Sequence, residues 1–262
     1  MRKLLVLTRL DLINTFIERS DIFLYTLSSS VAPLTLMLVW LSFTPAGSTS
    51  VYSRDQIVWY FIFAMIVKLV TSVWGGYYLS LRIRRGAISP YLIQPIPYVF
   101  HYLSNNIAEK FLKIIILIPI LGLILFFIRP ESFQLNIFNL LLSVFSTLIA
   151  AAIFFLIDIS VGLLSFWFDE TSAINDAVNL LAALFSGILV PLIALPQSVR
   201  YISYILPFRY TLSLPIEIAL GQLDFKYLIL NLAMQFFWLI VIGLLCKLLW
   251  TRGLKAYTAS GA

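Results

Sequence analysis

His101 and Cys246 are the single histidine and the single cysteine in this 262-residue sequence, and they set the first limit on its chemistry. A His-Glu-x-x-His zinc site needs two imidazoles on one helix face, and a thiolate site or disulfide needs several cysteines, so none of these is available. His101 reads as an interfacial residue. None of the 11 glycines opens a loop ending in Gly-Lys-Ser/Thr, in which backbone amides cradle phosphates and a hydroxyl holds magnesium. ATP hydrolysis is therefore not expected from this chain, and no Gly-x-Ser-x-Gly elbow supports a serine hydrolase. The remaining candidates are Lys68 and the carboxylates Asp158, Asp169 and Glu170. An intramembrane lipid-modifying enzyme would use one of these carboxylates as a base, but acid–base catalysis needs convergent partners and no histidine supports it. Lys68 and Asp158 lie inside apolar runs, where a charge is unfavourable and therefore a functional candidate. A channel or ion-coupled transporter acting without an ATPase would use them as coupling residues. At ~1.5 Å per residue, Lys68 stands about 16 Å from the outer end of its run and Asp158 about 31 Å from the start of its own, so a direct pair is not expected. Lys68 either faces an aqueous or substrate-lined cleft or extends its stem toward a headgroup or helix carbonyl. Asp158 fits hydrogen bonding or a subunit contact better than catalysis.

The elements that hold these residues follow from composition. With 61% apolar and 11% charged residues and a mean hydropathy of +0.98, the chain has too little polar surface for a water-soluble globule. Repeated apolar runs of about 20 residues, each enough for a ~30 Å hydrocarbon layer, predict an all-α integral membrane protein. Six spans are expected at Ile22–Phe43, Ile57–Leu79, Phe111–Ile128, Ile137–Trp167, Ile174–Leu195 and Tyr227–Leu249, in one domain. Residues 1–20 place Val6, Leu10, Ile13 and Ile17 opposite Thr8, Asp11, Thr15 and Glu18, the spacing of an interfacial amphipathic helix. Arg9 and Asp11 interrupt its apolar region too early for a signal peptide, so the mature chain is expected to begin here.

The net charge of +6 is spread among the spans, which indicates orientation and not nucleic-acid binding. Arg2, Lys3, Arg9, Arg19, Arg82, Arg84, Arg85, Lys110, Lys113, Lys247, Arg252 and Lys255 fall on one side. Arg54, Arg129, Arg200, Arg209 and Lys226 fall on the other. Twelve against five places both termini in the cytoplasm.

Two connections are unusual. Residues 81–110 form a long basic stretch punctuated by Gly86, Pro90, Pro95 and Pro97, expected as short helices along the membrane and a docking surface. Residues 196–226 are apolar but carry Arg200, Arg209, Glu217, Pro207 and Pro215. Charges near a bilayer centre cost about 2.5–3.5 kcal/mol each, so a re-entrant hairpin is expected there in place of a seventh span. Such backbone is tolerated only against protein or a water-filled cavity, which suggests a lid on a pathway.

Ser186-Gly187 followed by Pro191-Leu192, then Leu195-Pro196, Leu206-Pro207-Phe208, Pro215 and Leu220-Gly221, with a tail of Arg252-Gly253-Leu254-Lys255, Tyr257 and Gly261, form a pattern that resembles the transmembrane permeases of bacterial type 2 ABC exporters. Phe166-Trp167 and the GAISPYLIQP stretch match more loosely. The hydropathy plan agrees over essentially the whole chain and the motifs cover about half of it. The resemblance implies a permease that pairs with a second one, identical or a sister chain, and with two ATPase subunits that bind ATP and magnesium. This chain would bind no cofactor itself. It further implies a coupling element at Arg82, Arg84, Arg85, Gly86, Ser89, Pro90, Gln94 and Pro95, and an outer gate at Ser186, Gly187, Pro191, Pro207, Phe208, Pro215 and Gly221. Gln94 departs from the family, which often has a basic residue there. Lys68 becomes a pathway candidate, and the cargo a lipid-like, peptide or drug-like amphiphile moved outward across the bacterial inner membrane.

Overall fold

The structure is a computed structural model that describes residues 2–43, 53–130 and 136–257, with side chains from residue 6 onward. Gly261 and the side chains of Arg2 and Lys3 lie outside the described residues. Every regular element among the described residues is helical.

Helix α1 (Arg2–Ile17) lies along the bundle with its polar side inward. Thr15 is buried, and Asp11 accepts a hydrogen bond from the Ser104 hydroxyl, while Val6, Leu10, Ile13 and Ile17 point away from the protein. A stripe that would face the core in a soluble protein points outward here. A single turn joins it to α2 (Arg19–Phe43), which runs to the far end of the bundle.

The return begins at Ser53, whose hydroxyl accepts from the Gln56 amide at 3.2 Å while the Gln56 side chain accepts from the Ser53 amide at 2.9 Å. This reciprocal cap starts α3 (Arg54–Thr71), the most enclosed helix, with Val58 and Phe61 fully buried. The expected span Ile57–Leu79 is not one helix. Extended backbone at Ser72 ends α3, and α4 (Gly75–Arg84) restarts after Trp74 and continues five residues past the expected end.

A connection at 85–97, holding the one-turn helix α5 (Ser89–Leu92), leads into α6 (Tyr98–Ile128). The third span was expected from Phe111, so α6 starts 13 residues earlier and the connection 81–110 contracts to 85–97. At 31 residues α6 is about 46 Å long, well beyond the ~30 Å a bilayer core requires. Lys110 therefore sits on a helix and not in a basic loop; Lys113, already expected within the span, is buried against Glu109.

Helix α7 (Ile137–Leu163), capped by the Asn136 side chain on the Phe138 amide at 2.9 Å, continues as a 3-10 turn to Phe166, close to the expected Ile137–Trp167. Helix α8 (Ser172–Phe185) has 14 residues, about 21 Å, so the expected Ile174–Leu195 is helical over only its first part. A folded segment follows, with 3-10 turns at Leu192–Ala194 and Pro207–Thr211, helix α9 (Gln197–Ile205) and helix α10 (Ser213–Ala219). Helix α11 (Phe225–Ala256) returns to the first end and overruns the expected Tyr227–Leu249 on both sides.

Five helical stretches among the described residues are long and apolar enough to cross a membrane: Arg19–Phe43, Arg54–Arg84, Tyr98–Ile128, Ile137–Phe166 and Phe225–Ala256. The outer faces of α6 and α11 expose Ile118, Phe126, Phe127, Ile240 and Leu244, which water would not tolerate as a continuous surface.

Candidate functional site

Three regions carry the residues singled out by sequence. At the end shared by the 85–97 connection and the tail, Ile88 is fully buried beside Leu79, Ile83 and Tyr98 and anchors the connection to the bundle. Gly86 takes a φ of 69°, a backbone conformation that side chains disfavour, and its carbonyl accepts from the Ser89 hydroxyl at 3.1 Å and the Tyr257 hydroxyl at 3.0 Å. Ser89 and Tyr257 hydroxyls are 2.8 Å apart. Phe166 stacks edge-on against Trp250 and Tyr257, and a Cβ at Gly253 would enter the Phe166 ring. Three sequence-distant stretches, 86–89, Phe166 and 250–257, thus form one brace under the connection.

Above that brace, Arg84, Arg85, Pro90, Gln94 and Pro95 are exposed, and Arg84 donates to the Asp169 carbonyl at 2.8 Å. Arg82, expected with them as a docking residue, is half-buried. Its guanidinium lies 4.8 Å from the Tyr91 ring centroid and donates to the Tyr98 hydroxyl at 3.0 Å, so it positions the connection from inside. Ile93 was not singled out, yet it is 87% exposed, the most exposed large apolar side chain among the described residues. Its signal in the sequence was an apolar residue at the centre of a basic, proline-rich turn.

At the opposite end, residues 186–221 fold into the bundle. Ser186 is buried, and its carbonyl accepts from the Ser213 amide at 3.1 Å and the Ser213 hydroxyl at 2.5 Å. Gly187, at φ 90°, has no room for a Cβ against Ser213 and Tyr60, and its carbonyl accepts from the Tyr60 hydroxyl at 2.7 Å. Pro191, Phe208 and Pro215 are buried and Pro207 half-buried; the Pro215 carbonyl accepts from Ser143 at 2.7 Å. Gly221, at φ 66°, turns the chain toward α11 and stays exposed. In the interior, Arg209 pairs with Glu217 at 2.5 Å, donates to Asn231 and lies 4.2 Å from the Tyr204 ring centroid. Burial pushes the Glu217 carboxyl above its ordinary range and the Arg209 guanidinium pulls it back. Gln235, fully buried on α11, donates to the Ser146 carbonyl at 3.0 Å and the Tyr210 carbonyl at 2.9 Å. The sequence marks Arg209 and Glu217 as charges incompatible with a span; their pairing, and the roles of Asn231 and Gln235, carry no such mark.

Lys68 and Asp158 serve different places. Asp158 accepts hydrogen bonds from the amide of Gly76 in the first turn of α4, a helix start with no side-chain cap of its own. A carboxylate there satisfies amides that have no partner within the helix and offsets their positive dipole. Lys68 lies in the last turn of α3, exposed on the bundle face, with its ammonium 5.3 Å from the Phe154 ring centroid. The two do not form an ion pair; among the described residues the ion pairs are Lys113–Glu109 and Arg209–Glu217. No group of three or more His, Cys, Asp or Glu among the described residues is arranged to hold a metal ion.

Residues 30–261 match a family model described as ABC-2 family transporter protein. That interval holds the brace, the folded segment and Lys68. No curated protein matches the chain.

Proposed function

The chain belongs to the ABC-2 family transporter proteins, multi-pass permease components of ABC transporters, and from that premise we propose that it forms half of the membrane conduit of an exporter. A companion ABC ATPase supplies the energy: two such subunits bind ATP and magnesium, and a second permease, identical or a sister chain, completes the conduit. The exporter sits in a bacterial inner membrane with both termini in the cytoplasm. The sixth crossing is α8 continued by the folded segment, a re-entrant hairpin that closes the outer mouth. The cargo is an amphiphile, lipid-like, peptide or drug-like, carried outward.

One observation carries this reading. The connection 85–97 is braced from below by Arg82, Ser89 and Tyr257 while it presents Arg84, Arg85, Ile93 and Gln94 outward. A loop that serves only to join helices has no need of a rigid base under a basic and apolar tip. A force applied to that tip moves α4 and α6 together, because Arg82 on α4 is fixed to Tyr98 at the start of α6. ATP-driven closure of the companion subunits then switches the bundle between two packed arrangements, one open inward and one with the hairpin displaced.

The experiment is charge reversal, Arg84→Glu with Arg85→Glu, in the permease expressed with its genomic ATPase. The reversal gives up the exposed Arg84 hydrogen bond to the Asp169 carbonyl but no buried contact, so membrane insertion is expected as in the wild type and stability within about 0.5 kcal/mol of it. Co-purified ATPase is expected to fall by roughly tenfold, as when one or two charge-assisted contacts of about 1.5 kcal/mol are lost. Equal recovery of the ATPase with the reversed chain refutes the docking assignment.

A further inference from the structure

Among the described residues, no carboxylate lies within ion-pair distance of Lys68, which is exposed near the end of α3. It takes part in neither of the two ion pairs among the described residues. Two hollows, of about 190 and 160 Å³, open on either side of it and share Lys68 and Ile188. The first runs along α2 past Thr26, Ser29 and Ser30; the second runs under the folded segment past Asn179, Ser186 and Thr211. No aspartate or glutamate lines either hollow. Lys113 also borders the first, but Glu109 neutralises it.

Two contacts favour a cation at this position. The Lys68 ammonium occupies the last turn of α3, where unpaired carbonyls favour a cation, and the Phe154 ring offers its face. Both are weaker than a carboxylate, and the exposed charge retains its capacity for an anion. Its surroundings are hydroxyls, one amide and apolar walls, which suit a charged head with a hydrocarbon tail.

We propose that Lys68 holds the anionic headgroup, carboxylate or phosphate, of an amphiphile lying in this groove beneath the hairpin. The inference rests on the transporter reading only in naming that amphiphile as cargo; the binding site itself does not depend on ATP. The Thr26, Ser29, Ser30, Thr71 and Thr211 hydroxyls donate to backbone carbonyls, so the further donor beside Lys68 is the Asn179 amide, and the exposed apolar faces of α2 and α8 accommodate the tail.

The test uses the full-length permease in nanodiscs of zwitterionic lipid and a dansylated medium-chain fatty acid as the probe. Saturable binding is expected, roughly tenfold or more tighter than that of the matching primary alcohol or an alkyltrimethylammonium, the scale of one charge-assisted contact. Lys68→Met is expected to abolish that preference, while Lys68→Arg keeps binding within about threefold, because the guanidinium preserves the charge. Competition by phosphatidylglycerol added to the discs identifies a membrane lipid as the natural anion. Stimulation of ATP turnover by the free fatty acid in the assembled complex identifies cargo. Both outcomes uphold the anion site. Equal binding of all three probes, or a Lys68→Met variant that binds the fatty acid within twofold of wild type, overturns it. So does a Lys68→Met variant that loosens the dimer without changing probe preference, since Lys68 would then pair with a second copy. If the anion preference is absent while Arg84/Arg85 reversal still releases the ATPase, this site fails and the transporter reading stands.

Discussion

Arg209 is 2% exposed and is compensated at its two terminal nitrogens by Glu217 and Asn231 and on its face by the Tyr204 ring, while its Nε–H has no partner among the described residues. Removing one member of such a pair leaves the other buried and uncompensated, which costs far more than the pair contributes. Arg209→Met is therefore expected to lower stability by about 3–5 kcal/mol, whereas Arg209→Met with Glu217→Leu recovers most of the loss by replacing two charges with apolar volume. Melting of the detergent-solubilised protein measures both. The loss in Arg209→Met has a predictable pH dependence. Burial already raises the Glu217 carboxyl, and without Arg209 nothing opposes it. An acid whose folded pKa lies above its unfolded value contributes stability at low pH that disappears as pH rises through the folded value. The variant is thus expected to approach wild-type stability in acid and to diverge from it toward neutrality; a constant difference across that range contradicts the assignment. The sequence exposes Arg209 and Glu217 as charges in an apolar stretch, but they stand eight residues apart with a 3-10 turn and a helix start between them. No fixed periodicity links such positions, so their contact was not legible.

Helix identity was legible and helix ends were not, for a physical reason that differs at each boundary. The apolar run through Ser72–Trp74 is continuous in hydropathy, so nothing in composition marks the break between α3 and α4. What sustains it is tertiary: Asp158, on another helix, provides the acceptor that the first amides of α4 need. The early start of α6 was hidden because Ser104, Asn105, Asn106, Glu109 and Lys110 interrupt the apolar character of residues 98–110, whereas a helix longer than the bilayer continues into water without an apolar requirement. In α8 the apolar run outlasts the helix, since Gly187 adopts φ 90° and the Ser186 carbonyl bonds to Ser213. The first case yields a test. Asp158→Ala removes the cap from α4 and is expected to cost about 0.5–2 kcal/mol of stability, the range for lost helix caps, with Asp158→Asn retaining part of it. Faster hydrogen exchange at the Gly75–Tyr78 amides would accompany the loss. A stable variant with unchanged exchange there would assign Asp158 a role other than capping.

The two ends of the molecule are joined by a continuous packed route, and that route decides whether a push at one end reaches the other. From the braced connection, α4 runs up to Gly76, which touches Gly162 so closely that a Cβ on Gly162 would lie 2.6 Å from the Gly76 carbonyl oxygen. Helix α7 carries the contact onward, and Ser143, on its far half, donates to the Pro215 carbonyl at 2.7 Å inside the folded segment. Gly75 and Gly76 open α4 directly after its break from α3, and a Cβ on Gly76 would meet the Asp158 carbonyl of α7. Spatial intermediacy alone does not establish coupling, which requires that both ends bias the same two-state element. The decisive variant is Gly162→Val, which drives a wedge between α4 and α7 without touching Arg84, Arg85 or the hairpin. Its ATPase recovery on co-purification is expected to match wild type. Its transport per ATP is expected to fall by roughly two- to thirty-fold, the scale of about 0.5–2 kcal/mol of lost coupling. Combining Gly162→Val with Ser143→Ala separates a shared route from two independent defects. On a shared route the double variant loses little beyond the first substitution, because the link is already open; losses that multiply would mean that the hairpin receives its displacement by another path.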